Sequence, residues 1–109
     1  MTVRWPRDDW LDALWDCEDP ALKPAERTMA YTYARYAGKT DLTWCPDEEM
    51  RRRTGISSRD TLNKTRKTLI SRGWLVEVER PRQHRSGRYR MTIPESEGEM
   101  RRHEQLSDG

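Results

Sequence analysis

The chain has 109 residues, 33% of them apolar and 37% charged, with a formal net charge of +2. That length and apolar content fit one small domain with short extensions. No run approaches the roughly 18 apolar residues of a membrane span, and the opening MTVRWPRDDW lacks the apolar stretch of a secretory signal, so a cytoplasmic location is expected.

Arg7 to Glu18, RDDWLDALWDCE, has the periodicity of an amphipathic helix, with Asp8 or Asp9 at its start, where an acid suits the helix dipole. Trp10, Ala13, Leu14 and Cys17 form one stripe, widened by Leu11 and Trp15. The stripe has two uses. It can complete the core of the domain that follows, or Trp10, Leu11, Leu14 and Trp15 can form a homodimer interface, since two Trp and two Leu are a large apolar load for one short helix. A third reading is an acidic segment that competes for a basic face elsewhere in the chain. Leu22 to Gly38 predicts a second helix, with Pro24 in its first turn and Gly38 at its end. Its inner stripe is Met29, Ala30, Tyr33, Ala34 and Ala37, while Arg27, Tyr31 and Arg35 point outward. Leu42 to Trp44 is a short strand, and Trp44 and Trp74 read as core residues.

The chain is organised around Pro46 to Trp74, PDEEMRRRTGISSRDTLNKTRKTLISRGW. It reads as a short helix anchored by Met50, a tight turn and a longer basic helix. Gly55 stands where such a turn needs positive φ, with Ile56 as the apolar plug. Ser57 and Ser58 can each cap the second helix, and Ser57 with Asp60 has a capping-box spacing. Gly73 stops that helix after its last turn. Leu62, Thr65 and Leu69 recur at spacings of three and four on the inner side, with Ile70 at its edge. Asp60, Lys64, Lys67 and Ser71 point the opposite way, flanked by Asn63 and Thr68. These are donors of the kind that meet base edges and phosphates in a major groove, although a solvated charged helix has the same appearance. Arg51 and Arg66 stand where small or apolar residues would be usual. Both can snorkel, and an acidic partner can meet Arg66.

Trp74, Val76 and Val78 alternate with Leu75, Glu77 and Glu79, which is strand periodicity. RPRQHRSGR follows, with Ser86-Gly87 as the turn, and then YRMTIP with Tyr89, Met91 and Ile93 on one face. This is a hairpin with a basic, flexible tip. After Pro94 the periodicity is lost, and residues 95–109 are expected to form an acidic, disordered tail with one helical turn around Met100 to Leu106.

Charge is unevenly distributed. Residues 1–22 carry a net of −4 and residues 95–109 a net of −3, whereas residues 57–72 carry +4 and residues 80–94 carry +5. Basic charge gathered on one helix and the following hairpin is the electrostatic footprint of a nucleic-acid-binding face. No phosphate-cradling Gly-rich loop, nucleophile elbow or metal-ligand spacing is visible, so no enzyme activity, metal or cofactor is expected. Cys17 and Cys45 are read as buried thiols of a reducing compartment.

The order of helix, short strand, helix, turn, basic helix and basic hairpin over Leu22 to Pro94 resembles a winged helix-turn-helix domain. It is most similar to modules of bacterial and phage regulators and of phage and plasmid replication proteins. The resemblance implies a mainly α fold with a small antiparallel β-sheet: a three-helix core, a hairpin wing and here an extra N-terminal helix (residues 1–21). It also implies double-stranded DNA as the partner, bound in the major groove by the helix from Ser58 to Arg72. Ser57, Ser58, Arg59, Thr61, Asn63, Lys64 and Lys67 would contact bases or nearby phosphates. Arg82, His84, Arg85 and Arg88 of the wing would follow the backbone or enter the adjacent minor groove. A small transcriptional regulator is the expected role, and the Arg-heavy, Phe-free composition hints at a high-GC bacterium, its phage or a mobile element. An accessory protein of replication, partition or excision stays open, as do a winged helix that binds protein and, with less support, an RNA binder.

Overall fold

Among the residues that the computed structural model describes (4–17, 22–83 and 85–94), the elements are α1 (Pro6–Asp16), α2 (Pro24–Tyr36), β1 (Leu42–Thr43), α3 (Asp47–Thr54), α4 (Arg59–Ser71), β2 (Leu75–Glu79) and β3 (Arg88–Met91). The protein is therefore mainly helical, with one small antiparallel sheet in the order β1-β3-β2. The tail expected after Pro94 lies outside the described residues.

Helix α2 is central to the packing. Met29, Ala30, Tyr33 and Ala34 are buried, and α2 packs on α1, α3, α4 and β1. Helix α1 joins the same core. Trp10 and Leu14 sit beside Met29, Leu69 and Trp74 in one apolar cluster. The Trp10 indole N–H donates to the carbonyls of Trp74 (3.1 Å) and Thr92 (2.8 Å), which satisfies its one polar atom and ties α1 to the residues just before β2 and just after β3. Arg27, expected to face outward, instead donates to the Leu14 and Cys17 carbonyls (2.9 and 3.1 Å). Carbonyls in the last turn of a helix lack intrahelical partners, and a guanidinium one helix away can supply them. The proposed dimer stripe is thus divided. Trp10 and Leu14 are buried in the chain's own core, Leu11 is half-buried, and Trp15 is 80% exposed.

Gly55 ends α3 at φ 75°, with its N–H bonded to the Arg51 carbonyl (2.8 Å). After Ile56 and Ser57, Ser58 caps α4 and its hydroxyl accepts from the Thr61 N–H (3.3 Å). Ser58 occupies the cap, so the Ser57–Asp60 box does not form. Helix α4 closes with Gly73 at φ 87°. Gly73 donates to the Ile70 carbonyl (3.1 Å) and Trp74 to the Leu69 carbonyl (2.9 Å), the paired bonds of a Schellman ending. Its buried side is Leu62, Thr65, Arg66 and Leu69. Arg51 is half-buried, and its Nε has no hydrogen-bond partner among the described residues.

In the sheet, Leu75 pairs with Met91, and Thr43 and Glu77 both pair with Tyr89. Leu75, Met91, Tyr89 and Thr43 face the core. Val76 and Val78, which the alternation groups with Trp74, face outward and are about half exposed. Trp74 belongs to the helix ending, so the pleat starts at Leu75 and its opposite phase is the inward one. A bulge between Glu77 and Glu79 shifts the register of the outer half. Trp44, expected in the core, is 46% exposed and meets Tyr36 edge-on with ring centroids 5.9 Å apart. Ile93 is also exposed, because β3 ends at Met91 and the face defined by Tyr89 and Met91 stops there. The outer sheet face therefore carries Leu42 and Val76 on either side of Arg90.

The hairpin closes between Arg82 and Arg85, whose backbones exchange two hydrogen bonds of 2.9 Å, rather than at Ser86-Gly87. No helix among the described residues is long and apolar enough to cross a membrane.

Candidate nucleic-acid interface

The outward side of α4 presents Arg59, Asp60, Thr61, Asn63, Lys64 and Lys67, all exposed, with Ser57 and Ser58 exposed at its N-terminal end. This side forms because the apolar positions at spacings of three and four commit the other side to the core. Arg59, Lys64 and Lys67 meet no carboxylate among the described residues. The capped end also leaves backbone N–H groups and the positive end of the helix dipole at the surface.

Beside α4 runs a cleft of about 700 Å³. One wall is the N-terminal half of α4 through Arg59, Asn63 and Arg66, and the other is the hairpin through Arg82, Arg85 and Ser86. Tyr33 and Tyr89 line it below, and Asp47 and Glu48 close one end from the start of α3. The structure thus brings Arg59 and Asn63 opposite Arg82 and Arg85. It leaves Thr61, Lys64 and Lys67 on the open side of the helix, away from the cleft. Arg88 lies on β3 outside the cleft, and His84 lies outside the described residues.

Beneath the cleft is a polar network that charge counting along the chain does not reveal. Arg66 is only 7% exposed. Its Nε donates to the Tyr33 hydroxyl (2.7 Å), its Nη1 to Asn63 Oδ1 (2.9 Å) and its Nη2 to Asp47 Oδ1 (3.2 Å). The guanidinium carbon also lies 5.8 Å from the centre of the Tyr89 ring. Burial by itself would lower the Arg66 pKa, but the Tyr33 oxygen, Tyr89 and Asp47 outweigh it and the net direction is up. Burial pushes the Tyr33 phenol well above its ordinary value, with Arg66 offsetting part of the shift. Burial also pushes the Cys45 thiol up to about 12, with Glu49 adding to it. Cys17 and Cys45 are both buried thiols outside any disulfide.

The hairpin cations are differently placed. Glu79 meets Arg85 (3.4 Å) and Arg88 (3.7 Å), Glu77 meets Arg80 (3.5 Å), and Asp41 meets Arg90 (3.2 Å). Arg82, near the tip, meets no carboxylate among the described residues. Sequence reasoning missed Gln83, Tyr33 and Asp47 as parts of the cleft. The one signal available was Arg66 itself, a cation beside an apolar stripe that needs an acid.

Among the described residues, no three His, Cys, Asp or Glu side chains are placed to hold a metal ion. No protein-family model, curated protein or solved structure matches the chain.

Proposed function

We propose that this protein is a winged helix-turn-helix that binds double-stranded DNA in a sequence-specific way. In this reading α4 lies in the major groove, and the hairpin wall of the cleft follows the sugar-phosphate strand beside it. The observation that carries the reading is the row of uncompensated cations on α4, Arg59, Lys64 and Lys67, next to a cleft whose far wall holds Arg82 and Arg85. Cations that have no carboxylate of their own are free to neutralise phosphates. Each phosphate neutralised adds about −0.9 to the slope of log K against log salt. Ser57, Ser58 and the backbone N–H groups at the start of α4 add an anion-binding end. The biological role that suits such a chain is transcriptional regulation. An accessory role in replication, partition or excision differs from it in the target, a set of repeats at an origin rather than one palindrome over a promoter.

The test is titration of a labelled random duplex at low and high salt, followed by selection of bound sequences from a random pool. Salt-steep binding and an enriched motif are the expected result. Absence of binding at low salt would sink the proposal. A second reading, a protein-binding module, is favoured by the outward apolar residues Trp15, Trp44, Val76 and Val78. It predicts weak, salt-insensitive retention on DNA.

A further inference from the structure

We propose that Asn63 is locked by Arg66 as a hydrogen-bond donor, and that it selects guanine at the base pair it meets. This rests on the DNA-binding reading above and adds to it a specific base and a positioning residue.

A guanidinium has five donors and no acceptor. The Asn63 atom 2.9 Å from Arg66 Nη1 must therefore be the carbonyl oxygen, and chemistry alone fixes which way the carboxamide is turned. Arg66 is not free to release it. The same guanidinium is held by the Tyr33 hydroxyl at 2.7 Å and the Asp47 carboxylate at 3.2 Å, and the side chain is almost wholly buried. Asn63 itself is exposed on the cleft side of α4, and its Nδ2 has no acceptor among the described residues.

A freely rotating asparagine reads adenine, because it donates to N7 and accepts from the N6 amino group with its two ends side by side. In this protein the accepting end is engaged and has a buried positive charge directly behind it. A base that brings a donor there, adenine through N6 or cytosine through N4, sets partial positive charge against that guanidinium. Guanine brings only acceptors to the major groove, O6 and N7, and suits both the free Nδ2 donor and the charge behind it. Arg66, only 7% exposed and with its guanidinium engaged by Tyr33, Asn63 and Asp47, is thus a positioning residue. Its effect on base choice passes through Asn63.

The experiment is selection from a random duplex pool with the wild-type chain, Asn63→Ala, Asn63→Asp and Arg66→Met, followed by titration of the selected site. The wild type is expected to require guanine at one position, and Asn63→Ala to lose that requirement while keeping the rest of the motif. Replacing that guanine with 7-deazaguanine, which lacks the N7 acceptor, is expected to weaken the wild type about tenfold and leave Asn63→Ala unchanged. Asn63→Asp keeps an acceptor for Arg66 but removes the donors, and its preference is expected to move to cytosine. Arg66→Met frees the Asn63 oxygen, and adenine is expected to join guanine at that position. A merely structural role for Arg66 would change affinity without changing base choice. If Arg66→Met does not fold, the two Asn63 variants carry the test. Adenine at the Asn63-dependent position of the wild type overturns the proposal, as does an equal loss on all sequences for Asn63→Ala. Either result leaves DNA binding itself intact. A wild-type chain that binds no duplex overturns the DNA reading and this inference together.

Discussion

The exposed side of α4 and the hairpin are both rich in cations, and a cleft lies between the N-terminal half of that helix and the hairpin. They differ in what surrounds each charge. Arg59, Lys64 and Lys67 extend from α4 with no carboxylate within ion-pair distance among the described residues, whereas Arg80, Arg85, Arg88 and Arg90 each lie within 3.7 Å of a carboxylate on Glu77, Glu79 or Asp41. Summed along the chain, residues 80–94 are the more basic of the two segments, +5 against +4. In three dimensions the order reverses, because the acids that answer the hairpin arginines come from β2 and from the loop before β1. What can reach a partner is the charge left over after folding.

The comparison has its largest consequence inside α4 itself, where the buried and exposed sides obey different rules. Leu69→Ala is expected to cost about 2–5 kcal/mol of stability, since a fully buried leucine is replaced by a cavity. Lys67→Ala, on the exposed side, is expected to stay within about 0.5 kcal/mol. Urea midpoints at unchanged m separate the two, and similar losses for both would mean that α4 is not oriented as described. Tyr33→Phe comes next. It removes the acceptor of Arg66 Nε while keeping the ring, so a buried donor is left unmet at a cost of about 1–3 kcal/mol. Urea denaturation reads that loss as well, and an unchanged midpoint would show that Arg66 finds another acceptor.

Alkaline pH probes the same buried floor. The Cys45 thiol ordinarily titrates near 9 and is raised to about 12 in the fold. Above pH 9 the unfolded chain releases this proton while the folded chain keeps it. Stability is therefore undiminished below about pH 9 and declines as pH rises toward 12. The raised tyrosines, Tyr33 and Tyr89, act in the same direction from their ordinary value of 10.0 upward. Thermal melts across this range are expected to show the decline, and Cys45→Ala to remove the part that begins first. A flat profile would mean that the thiol is not buried as described.

The smallest expected effect tests most directly how the helix and hairpin charges differ. Glu79→Gln releases Arg85 and Arg88 from their shared carboxylate. The pairs are largely exposed, so stability is expected to change by less than about 1 kcal/mol. Affinity for a random duplex is expected to rise several-fold with a steeper salt slope, whereas Lys64→Ala lowers the slope by about one. If Glu79→Gln leaves binding unchanged, the hairpin does not touch the backbone, and α4 carries the contact alone.

Much of this arrangement is legible in residue spacing. Leu62, Thr65 and Leu69 identify the inner side of α4, Gly55 and Gly73 each mark a turn with positive φ, and Met50 marks the core side of α3. Local physics sets all of these, within one or two helical turns. What spacing does not reveal depends on partners far along the chain. Val76 and Val78 look like a core face until the pairing of Leu75 with Met91 fixes the opposite phase of the strand. Arg27 looks like surface until the last carbonyls of α1 arrive beside it. Glu79 looks like an isolated acid until a bulge and the antiparallel return of β3 bring Arg85 and Arg88 to it. Arg66 shows its need of an acid, but not that Asp47 supplies it or that Asn63 is engaged at the same time.

The two carbonyls that receive the Trp10 indole belong to Trp74 and Thr92, so α1 is fastened to the residue that follows β3. That closure sets a schedule for synthesis. A chain leaving the ribosome exposes α2, α3 and α4 early, but the core they share with the sheet is then incomplete. The central strand of the sheet, β3, comes last, and without it β1 and β2 have no partner and Trp10 lacks one of its two acceptors. Stalled nascent chains are expected to stay protease-sensitive until Thr92 has cleared the exit tunnel, and then to become protected in one step. Gradual protection beginning with α2 would show that the helices hold together before the sheet arrives.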